Sequence, residues 1–264
     1  MINFNRFFIF TLIIIFTCKK ANAQDNISPL DQEIKYTNCN NCWNADSLGN
    51  HRAVINVTQN ASLVKVILPW RRRDIDPQNK RIIIQDAKTN TLVADFNVVH
   101  ANREMGEIIF SPTSGKGIYY IYYMPYKNEG RSNYPKGVYL KPLAQQDKSY
   151  ITSLKSENNS NITFANLLEF QSIDSLNSFY PMEVIATMNE TKSFIDKAIA
   201  NYNNKGDVAF IVVPEKRELP IKMVNDLPQK WMKQDTRYFN ANADKGEWFA
   251  FKLGLFALKN THNV

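Results

Sequence analysis

The sequence is poor in the residues that build metal centres: it has three cysteines and three histidines among 264 residues. The histidines, His51, His100 and His262, are far apart and show no spacing typical of zinc ligands. Imidazole titrates near neutrality, which makes His51 and His100 chemically able to act as bases. No nucleophile motif lies near either one, so hydrogen-bonded sheet histidines are the favoured interpretation. We predict no metal and no cofactor.

No apolar run is long enough for a membrane span, which takes about 20 residues. The run from Phe7 to Cys18 follows Arg6 and precedes Ala21-Asn22-Ala23, a small-x-small cleavage site. We therefore predict a signal peptide over 1–23 and no transmembrane anchor. The mature protein is then exported, to a periplasmic, outer-membrane-associated or extracellular location. A lipoprotein attached through Cys18 is the alternative, although the residues before this cysteine fit that motif poorly.

The sequence also lacks a strong charge bias. Its formal net charge of +7 falls by three to +4 when Arg6, Lys19 and Lys20 leave with the signal peptide. Nucleic-acid-binding proteins usually concentrate basic residues on one face, whereas the basic residues here are spread along the chain. We predict no nucleic-acid partner.

Two cysteines, Cys39 and Cys42, remain in the mature chain. Disulfides persist in oxidising compartments, which favours a local disulfide between them. A thioredoxin-type motif needs a strand before it and a helix after it, but this pair lies in an asparagine-rich, turn-like setting. A zinc site needs two further ligands. Unpaired structural thiols are the other open alternative.

What the sequence does contain is a series of short strand signals separated by turn residues. About seven such strands with no helical pattern between them indicate a mainly β fold, an antiparallel, jelly-roll-like β-sandwich. Tyr119–Tyr123 places aromatics on both faces of one strand, which suits either sugar stacking or a strand covered on both sides. The predicted strands are Ala53–Thr58, Leu63–Leu68, Arg81–Gln85, Leu92–Val98, Glu107–Ser111, Gly117–Met124 and Val138–Leu140.

Composition divides the mature chain into five parts. A polar leader over 24–50 precedes the β-sandwich domain over 51–145, and a polar linker or excursion follows over 146–176. A small α/β segment is predicted over 177–225 and the start of a second, incomplete β-sandwich over 226–264.

The last two parts are assigned from local patterns. Tyr180–Thr187 looks like a strand, and Asn189 can cap a helix over Thr191–Tyr202. Val208–Val213 is an apolar strand closed by Pro214. Trp248–Leu258 alternates, which predicts a core strand whose buried face carries Phe249, Phe251, Leu253 and Leu255.

The best candidate for a recognition surface is Trp70-Arg71-Arg72-Arg73. It follows a predicted strand and combines a stacking ring with guanidinium groups that suit carboxylate or sulfate, and Arg103 is placed in the same network. In the alternative interpretation, which we favour, these arginines pair with acids and fasten the sandwich to its neighbour. The acids considered for that role are Asp74, Asp76, Glu104 and Glu107.

Eight short segments that follow one another along the mature chain carry a family resemblance: Leu48–Val54, Pro69–Asp74, Asn102–Glu104, Tyr119–Tyr126, Asn133–Lys136, Asn177–Ala186, Pro220–Met223 and Gly246–Gly254. In this order they resemble the N-terminal region of glycoside hydrolase family 123-like proteins, of the β-N-acetylgalactosaminidase type. The resemblance implies a sandwich-rich N-terminal region followed by a (β/α)₈-type catalytic barrel with an adjacent Asp-Glu pair, working by substrate assistance.

No catalytic residue can be transferred by this resemblance. Adjacent Asp-Glu occurs nowhere in the sequence, and nothing pairs Glu104, Glu107, Asp174 or Glu183 at a catalytic separation. A barrel takes about 250 residues, so we expect this chain to be truncated before it and to lack activity alone.

Three functions follow from these observations. The first is the non-catalytic N-terminal domain of a secreted glycoside hydrolase whose full-length relatives carry a downstream catalytic domain. The second is a free-standing exported carbohydrate-binding module, with glycans as partners. The third is an exported structural or assembly protein.

Overall fold

The computed structural model describes residues 33–143, 162–201, 209–234 and 238–258. The predictions of a signal peptide over 1–23, of an anchor at Cys18 and of the first part of the linker, 146–161, lie outside these residues. In the described ranges, no helix has both the length and the apolar character that a bilayer crossing requires.

The first and larger unit is built from twelve strands, one short helix, α1 (Ala45–Leu48), and a 3-10 turn at Pro77–Asn79. Ten of the strands form two packed sheets and two form a hairpin. The strands are β1 (Tyr36–Asn38), β2 (His51–Val57), β3 (Leu63–Leu68), β4 (Ile83–Asp86), β5 (Leu92–Val93), β6 (Phe96–Ala101), β7 (Gly106–Phe110), β8 (Gly117–Tyr122), β9 (Tyr126–Arg131), β10 (Tyr134–Tyr139), β11 (Ile162–Phe164) and β12 (Asn166–Ser172).

The two sheets form the predicted β-sandwich. One sheet has six strands in the order β1-β12-β2-β8-β4-β5, and the other has four in the order β11-β3-β7-β6. Most neighbours are antiparallel, as predicted, but β1 runs parallel to β12 and β11 runs parallel to β3. Both parallel pairs lie at a sheet edge, where the joining strand arrives from a distant part of the sequence.

Period-two alternation creates the core between the sheets. In β3, Val64, Val66 and Leu68 are fully buried while the residues between them are partly exposed. Side chains of a strand point alternately to opposite faces, so one face of β3 supplies the core. Each such aliphatic side chain contributes about 1.5–3 kcal/mol relative to an exposed one.

The predicted linker over 146–176 is wrong in its second half. There β11 joins the edge of the four-stranded sheet, and β12 pairs with β2 inside the six-stranded sheet. The sandwich therefore extends beyond the predicted boundary at 145. Phe170 of β12 is buried in the core, although polar residues around it hide the strand pattern in the sequence.

The hairpin formed by β9 and β10 was not predicted as a pair, since only Val138–Leu140 gave a strand signal. Its residues are mostly exposed and polar, and Tyr126 lies opposite Tyr139 in its register. A hairpin with no buried face lacks the alternation on which sequence reasoning depends.

The second unit contains α2 (Met188–Asn201), β13 (Phe210–Lys216), α3 (Gln229–Lys233) and β14 (Phe251–Ala257). The prediction of a new sandwich starting at 226 is wrong, because β14 pairs antiparallel with β13. One apolar cluster joins both predicted segments, with Met182 and Val213 on one side of the boundary and Leu227 and Trp231 on the other.

The face predicted to be the core side of the last strand is the exposed one. Phe249, Phe251, Leu253 and Leu255 are each at least 40% exposed, and Gly254 is buried on the opposite face. A Cβ at Gly254 would overlap the Trp231 ring, so only glycine lets this indole lie flat against the strand.

Two local predictions also differ from the structure. Tyr180–Thr187 forms turns with one isolated bridge, between Ile185 and Pro228, instead of a strand. The helix begins earlier than predicted and is capped by Thr187: its Oγ1 accepts from the Glu190 N–H at 3.1 Å, and Glu190 accepts from the Thr187 N–H at 2.8 Å. This reciprocal arrangement is a capping box.

Candidate functional site

The Trp70-Arg71-Arg72-Arg73 segment leaves the end of β3 and is largely buried. Trp70 is 4% exposed, and Arg71 and Arg72 are each 2% exposed. The Trp70 ring lies so close to Gly106 that a Cβ there would overlap it, and its Nε1 donates to the Asn102 carbonyl at 2.8 Å. An indole covered in this way offers no free face to a sugar ring.

Arg71 connects the sandwich to the first turn of α2. It adopts a left-handed conformation, with φ of 51°, and its guanidinium pairs with Glu190. Its carbonyl accepts from the Ile185 N–H at 3.1 Å. Glu104 adds a further link, since its Oε1 accepts from the Met188 N–H at 2.7 Å. These contacts join the two units through side chains and backbone together.

Arg73 and Arg103 continue the same junction. Arg73 lies 3.4 Å from Glu183, and Arg103 donates to Asp226 at 2.5 Å. Arg103 also donates to the Arg73 carbonyl at 3.1 Å, which ties the two segments of the sandwich together. We call the set of pairs made by Arg71, Arg73 and Arg103 the arginine seam. The structure brings these three arginines together, but the acids in their pairs are Glu190, Glu183 and Asp226, none of which is among the acids considered for this role from the sequence.

Arg72 points into a separate buried cluster. It donates to both carboxylate oxygens of Asp74, at 2.7 and 2.6 Å, and lies 4.7 Å from the Trp70 ring centre. Lys80 also donates to Asp74. Burial alone would raise the pKa of Asp74, but the hydrogen bonds and charges of Arg72 and Lys80 outweigh it and hold that pKa below its ordinary value. Asp74 is therefore ionised at neutral pH.

Two more of the acids considered from the sequence, Glu107 and Asp174, have individual partners. Glu107 pairs with Lys65 at 2.5 Å, and Asp174 accepts from the Asn177 backbone N–H at 2.7 Å. Among residues 33–143, 162–201, 209–234 and 238–258, no group of three or more His, Cys, Asp or Glu side chains is placed to hold a metal ion. Cys39 and Cys42 are disulfide-bonded, with their Cα atoms 5.6 Å apart.

A polar cleft lies next to the seam, with a volume of about 350 Å³. Three parts of the chain meet there: the start of β2, the β9–β10 hairpin and the loop before α2. They contribute Asn50 and His51, then Tyr126, Gly137 and Tyr139, then Asn177, Phe179 and Glu183. Sequence reasoning did not identify this site, because no single motif contains its residues.

His51 forms the buried floor of this cleft. Its Nε2 is 2.5 Å from the Asn177 carbonyl oxygen, and its ring stacks on Phe179 with centroids 3.7 Å apart. A carbonyl only accepts hydrogen bonds, so Nε2 carries the proton in this contact. Burial lowers the pKa of His51 to about 4, despite the hydrogen bond to Asn177, which favours the charged form. The floor of the cleft is therefore uncharged at pH 7.

His100 lies elsewhere, exposed on β6 with its Nε2 3.0 Å from the Asn102 amide nitrogen. It borders a larger cavity of about 920 Å³ between β4, β5 and β6. Aliphatic side chains such as Ile82, Ile84 and Val98 dominate the wall of that cavity. Polar ligands need polar partners for orientation, and polar groups make up a larger share of the wall of the smaller cleft.

The tyrosines of β8 divide between the two faces of the six-stranded sheet. Tyr119 is buried in the core, whereas Tyr120 lies on the outer face beneath Arg52, whose guanidinium carbon is 3.7 Å from the ring centre. Trp43 covers the other side of Arg52 at 4.3 Å. The strand is therefore covered on both faces, which favours the structural alternative for its aromatics.

These observations define a mainly β protein of the sandwich class, joined by an arginine seam to a smaller α/β unit. Comparison with protein families adds that a family model described as glycoside hydrolase 123, N-terminal domain matches residues 41–173, about half of the chain. The chain belongs to this family of glycoside hydrolase N-terminal domains. The match runs from the loop before α1 to the residue after β12, so it covers every strand of the sandwich except β1. No curated protein and no solved structure matched the chain.

Proposed function

We propose that this chain is the non-catalytic N-terminal region of a secreted glycoside hydrolase. The observation that carries the proposal is the agreement between the family match over 41–173 and the part of the sandwich from β2 to β12. The resemblance implies that full-length relatives act on N-acetylgalactosaminide-type glycans. A non-catalytic part of such an enzyme holds other domains and substrate in place.

The arginine seam supports a scaffolding role. Guanidinium groups that recognise a ligand need an open approach, but Arg71 is 2% exposed and paired with Glu190. The charges of Arg71, Arg73 and Arg103 hold the α/β unit against the sandwich. Such a junction fixes the relative position of two units, which a scaffold requires.

Export is part of the proposal. The signal-like segment over 1–23 supports it, and so does the disulfide between Cys39 and Cys42, because disulfides persist in oxidising compartments. Carbohydrate binding is a second candidate function, favoured by the polar cleft beside His51.

An activity assay tests the proposal. Purified protein is incubated with 4-nitrophenyl N-acetyl-β-D-galactosaminide, and release of nitrophenol is followed by absorbance. We expect release no faster than in buffer. Turnover near 1 s⁻¹, the low end of typical enzyme rates, would overturn the non-catalytic assignment. A control assay with a catalytic glycosidase on the same substrate establishes that the method detects hydrolysis.

A further inference from the structure

The polar cleft has the composition of a binding site for a small, uncharged and hydroxyl-rich ligand. Amide, carboxylate and phenol groups line it, from Asn50, Asn177, Glu183, Tyr126 and Tyr139. Asn50 donates to the Asn177 side chain at 3.0 Å, so the two amides hold each other in a fixed orientation. Asn177 is held in addition by Asp174, through both backbone and side chain. These groups are positioned before any ligand arrives.

Two tyrosine rings contribute to the apolar part of the cleft, together with Met124, Leu176 and Phe179. Tyr126 and Tyr139 are paired across the β9–β10 hairpin, and Tyr139 is 42% exposed. Lys80 lies 4.8 Å from the Tyr139 ring centre and holds the ring in place. A sugar ring presents C–H groups on its faces and hydroxyls around its edge, which matches aromatic walls combined with amide and carboxylate acceptors.

Charge in the cleft disfavours anionic ligands. Glu183 contributes a carboxylate that keeps 28% of its side chain exposed and pairs with Arg73 of the seam at 3.4 Å. His51 is buried and held by a carbonyl, so the floor of the cleft carries no positive charge. The described residues that line the cleft include no lysine or arginine, and the two cations beside it, Arg73 and Lys80, are already paired with Glu183 and Asp74. A phosphate or sulfate would therefore meet a carboxylate and no lining cation.

The size of the cleft limits the ligand further. Ligand pockets usually measure about 300–1,000 Å³, and this one, at about 350 Å³, is at the small end. It has room for a single sugar residue and not for a long stretch of chain.

From this geometry we infer that the cleft between β2, the β9–β10 hairpin and the 176–183 loop binds one neutral sugar residue of a glycan. The choice of a sugar over other polyols rests on the proposed function. Tyr139 stacks on the ring, while Asn50, Asn177 and Glu183 bind hydroxyls at its edge. The cleft would then hold glycan on the scaffold instead of acting on it.

Saturation-transfer NMR and calorimetry with four sugars test this inference. The probes are N-acetylgalactosamine, galactose, N-acetylglucosamine and glucose, each titrated to about 20 mM. We expect at least one to bind with Kd in the millimolar range, a binding free energy of about −4 kcal/mol. No binding by any probe would overturn the inference.

Two variants test the location of the site. Tyr139→Ala removes the stacking ring, and the expected loss is about five- to tenfold in affinity. Gly137→Leu fills the cleft: a Cβ at Gly137 meets only the Tyr126 ring, at an ordinary 3.7 Å, so the fold tolerates the change while the ligand is displaced. The matched control is Tyr134→Ala, because Tyr134 is 85% exposed at the other end of the hairpin.

The outcomes separate this inference from the proposed function. Binding that survives both Tyr139→Ala and Gly137→Leu in folded protein would refute the cleft as the site. Hydrolysis of the chromogenic substrate would overturn the non-catalytic assignment and leave the binding result unchanged. Thermal melts of each variant establish that it is folded before its affinity is compared.

Discussion

Replacing Asp74 with asparagine should strongly destabilise the protein, because it leaves the Arg72 guanidinium buried without a counter-charge. The Arg72 side chain is 1% exposed, and both of its hydrogen bonds to Asp74 end on carboxylate oxygens. Lys80, 13% exposed, loses the same partner. The asparagine side chain would still offer one oxygen acceptor at this position, but it would carry no charge.

The magnitude follows from the burial of the pair. Removing one partner of a buried ion pair typically costs about 3–5 kcal/mol, because the remaining charge has lost its hydration without compensation. Asp74 keeps 13% of its side chain exposed, so we expect the lower end, about 3 kcal/mol. For a chain of this size, that corresponds to a fall in Tm of about 6–12 °C.

Chemical and thermal unfolding of Asp74→Asn measures the effect, with Asp76→Asn as the matched control. Asp76 is exposed and makes no capping hydrogen bond with its side chain, so its replacement should change the free energy of unfolding by less than about 0.5 kcal/mol. A cost for Asp74→Asn as small as that of the control would refute the reasoning.

The pH dependence gives a second check on Asp74. Its pKa is lowered in the folded state, so its stabilising effect is fully present above the unfolded value of about 3.9 and is lost as pH falls through the lowered folded value. The difference in unfolding free energy between wild type and Asp74→Asn should therefore be full at pH 7 and shrink below about pH 4. A difference that stays constant down to pH 2.5 would contradict this assignment.

Three further outcomes are expected. His51 has a folded pKa of about 4, so its unfolded form takes up a proton at a higher pH than its folded form does. The free energy of unfolding of the wild type should therefore fall by about 3 kcal/mol between pH 6.5 and pH 4. In urea unfolding at a series of pH values, His51→Gln should remove most of this fall. Thr187→Ala should cost about 1 kcal/mol through the lost cap, whereas Asn189→Ala should cost much less; equal costs would contradict the capping box. Leu253→Ser should change the free energy of unfolding by less than about 0.5 kcal/mol, because Leu253 is 57% exposed. Phe256→Ser, on the packed face of the same strand, should cost at least about 1 kcal/mol. The reverse order of these two costs would refute the assigned faces.

The sandwich was predictable because its central strands alternate. Leu63–Leu68 was predicted with the bounds that the structure shows, and Gly117–Met124 overlaps β8 closely. Alternation indicates that one face of a strand is buried, and it is strongest in strands with neighbours on both sides. The β9–β10 hairpin gave a weak signal because most of its residues are exposed and neither face is buried.

The last strand shows the limit of alternation as a guide. Its pattern correctly predicted a strand but assigned the wrong face to the core, since Phe251 and Leu253 are larger and more apolar than Gly254. The burial of Gly254 depends on Trp231, which comes from a different element. Pro214 was likewise taken as a strand end, although β13 has β14 as its one neighbour in the described part and a proline is tolerated at an edge.

The candidate sites differ in the same way. Trp70 and the three arginines are adjacent in sequence, so their chemistry could be identified, but only the fold shows that Arg71 and Arg73 pair with acids outside the sandwich, Glu190 and Glu183. Arg103, which is distant in sequence, contacts this segment by donating to the Arg73 carbonyl. The cleft could not be predicted, because Asn50, Tyr139 and Asn177 are brought together by long-range pairing and not by spacing.

The seam and the cleft share a residue, which gives the arginine segment a consequence beyond holding two units together. Glu183 lines the cleft and pairs with Arg73 of the seam. The backbone of the same loop is fixed nearby, since the Ile185 N–H donates to the Arg71 carbonyl. Arg71 and Arg73 therefore set the position of one cleft wall relative to His51 on β2. In the proposed sugar site, these arginines would act without touching the ligand, through the geometry of the wall that they hold.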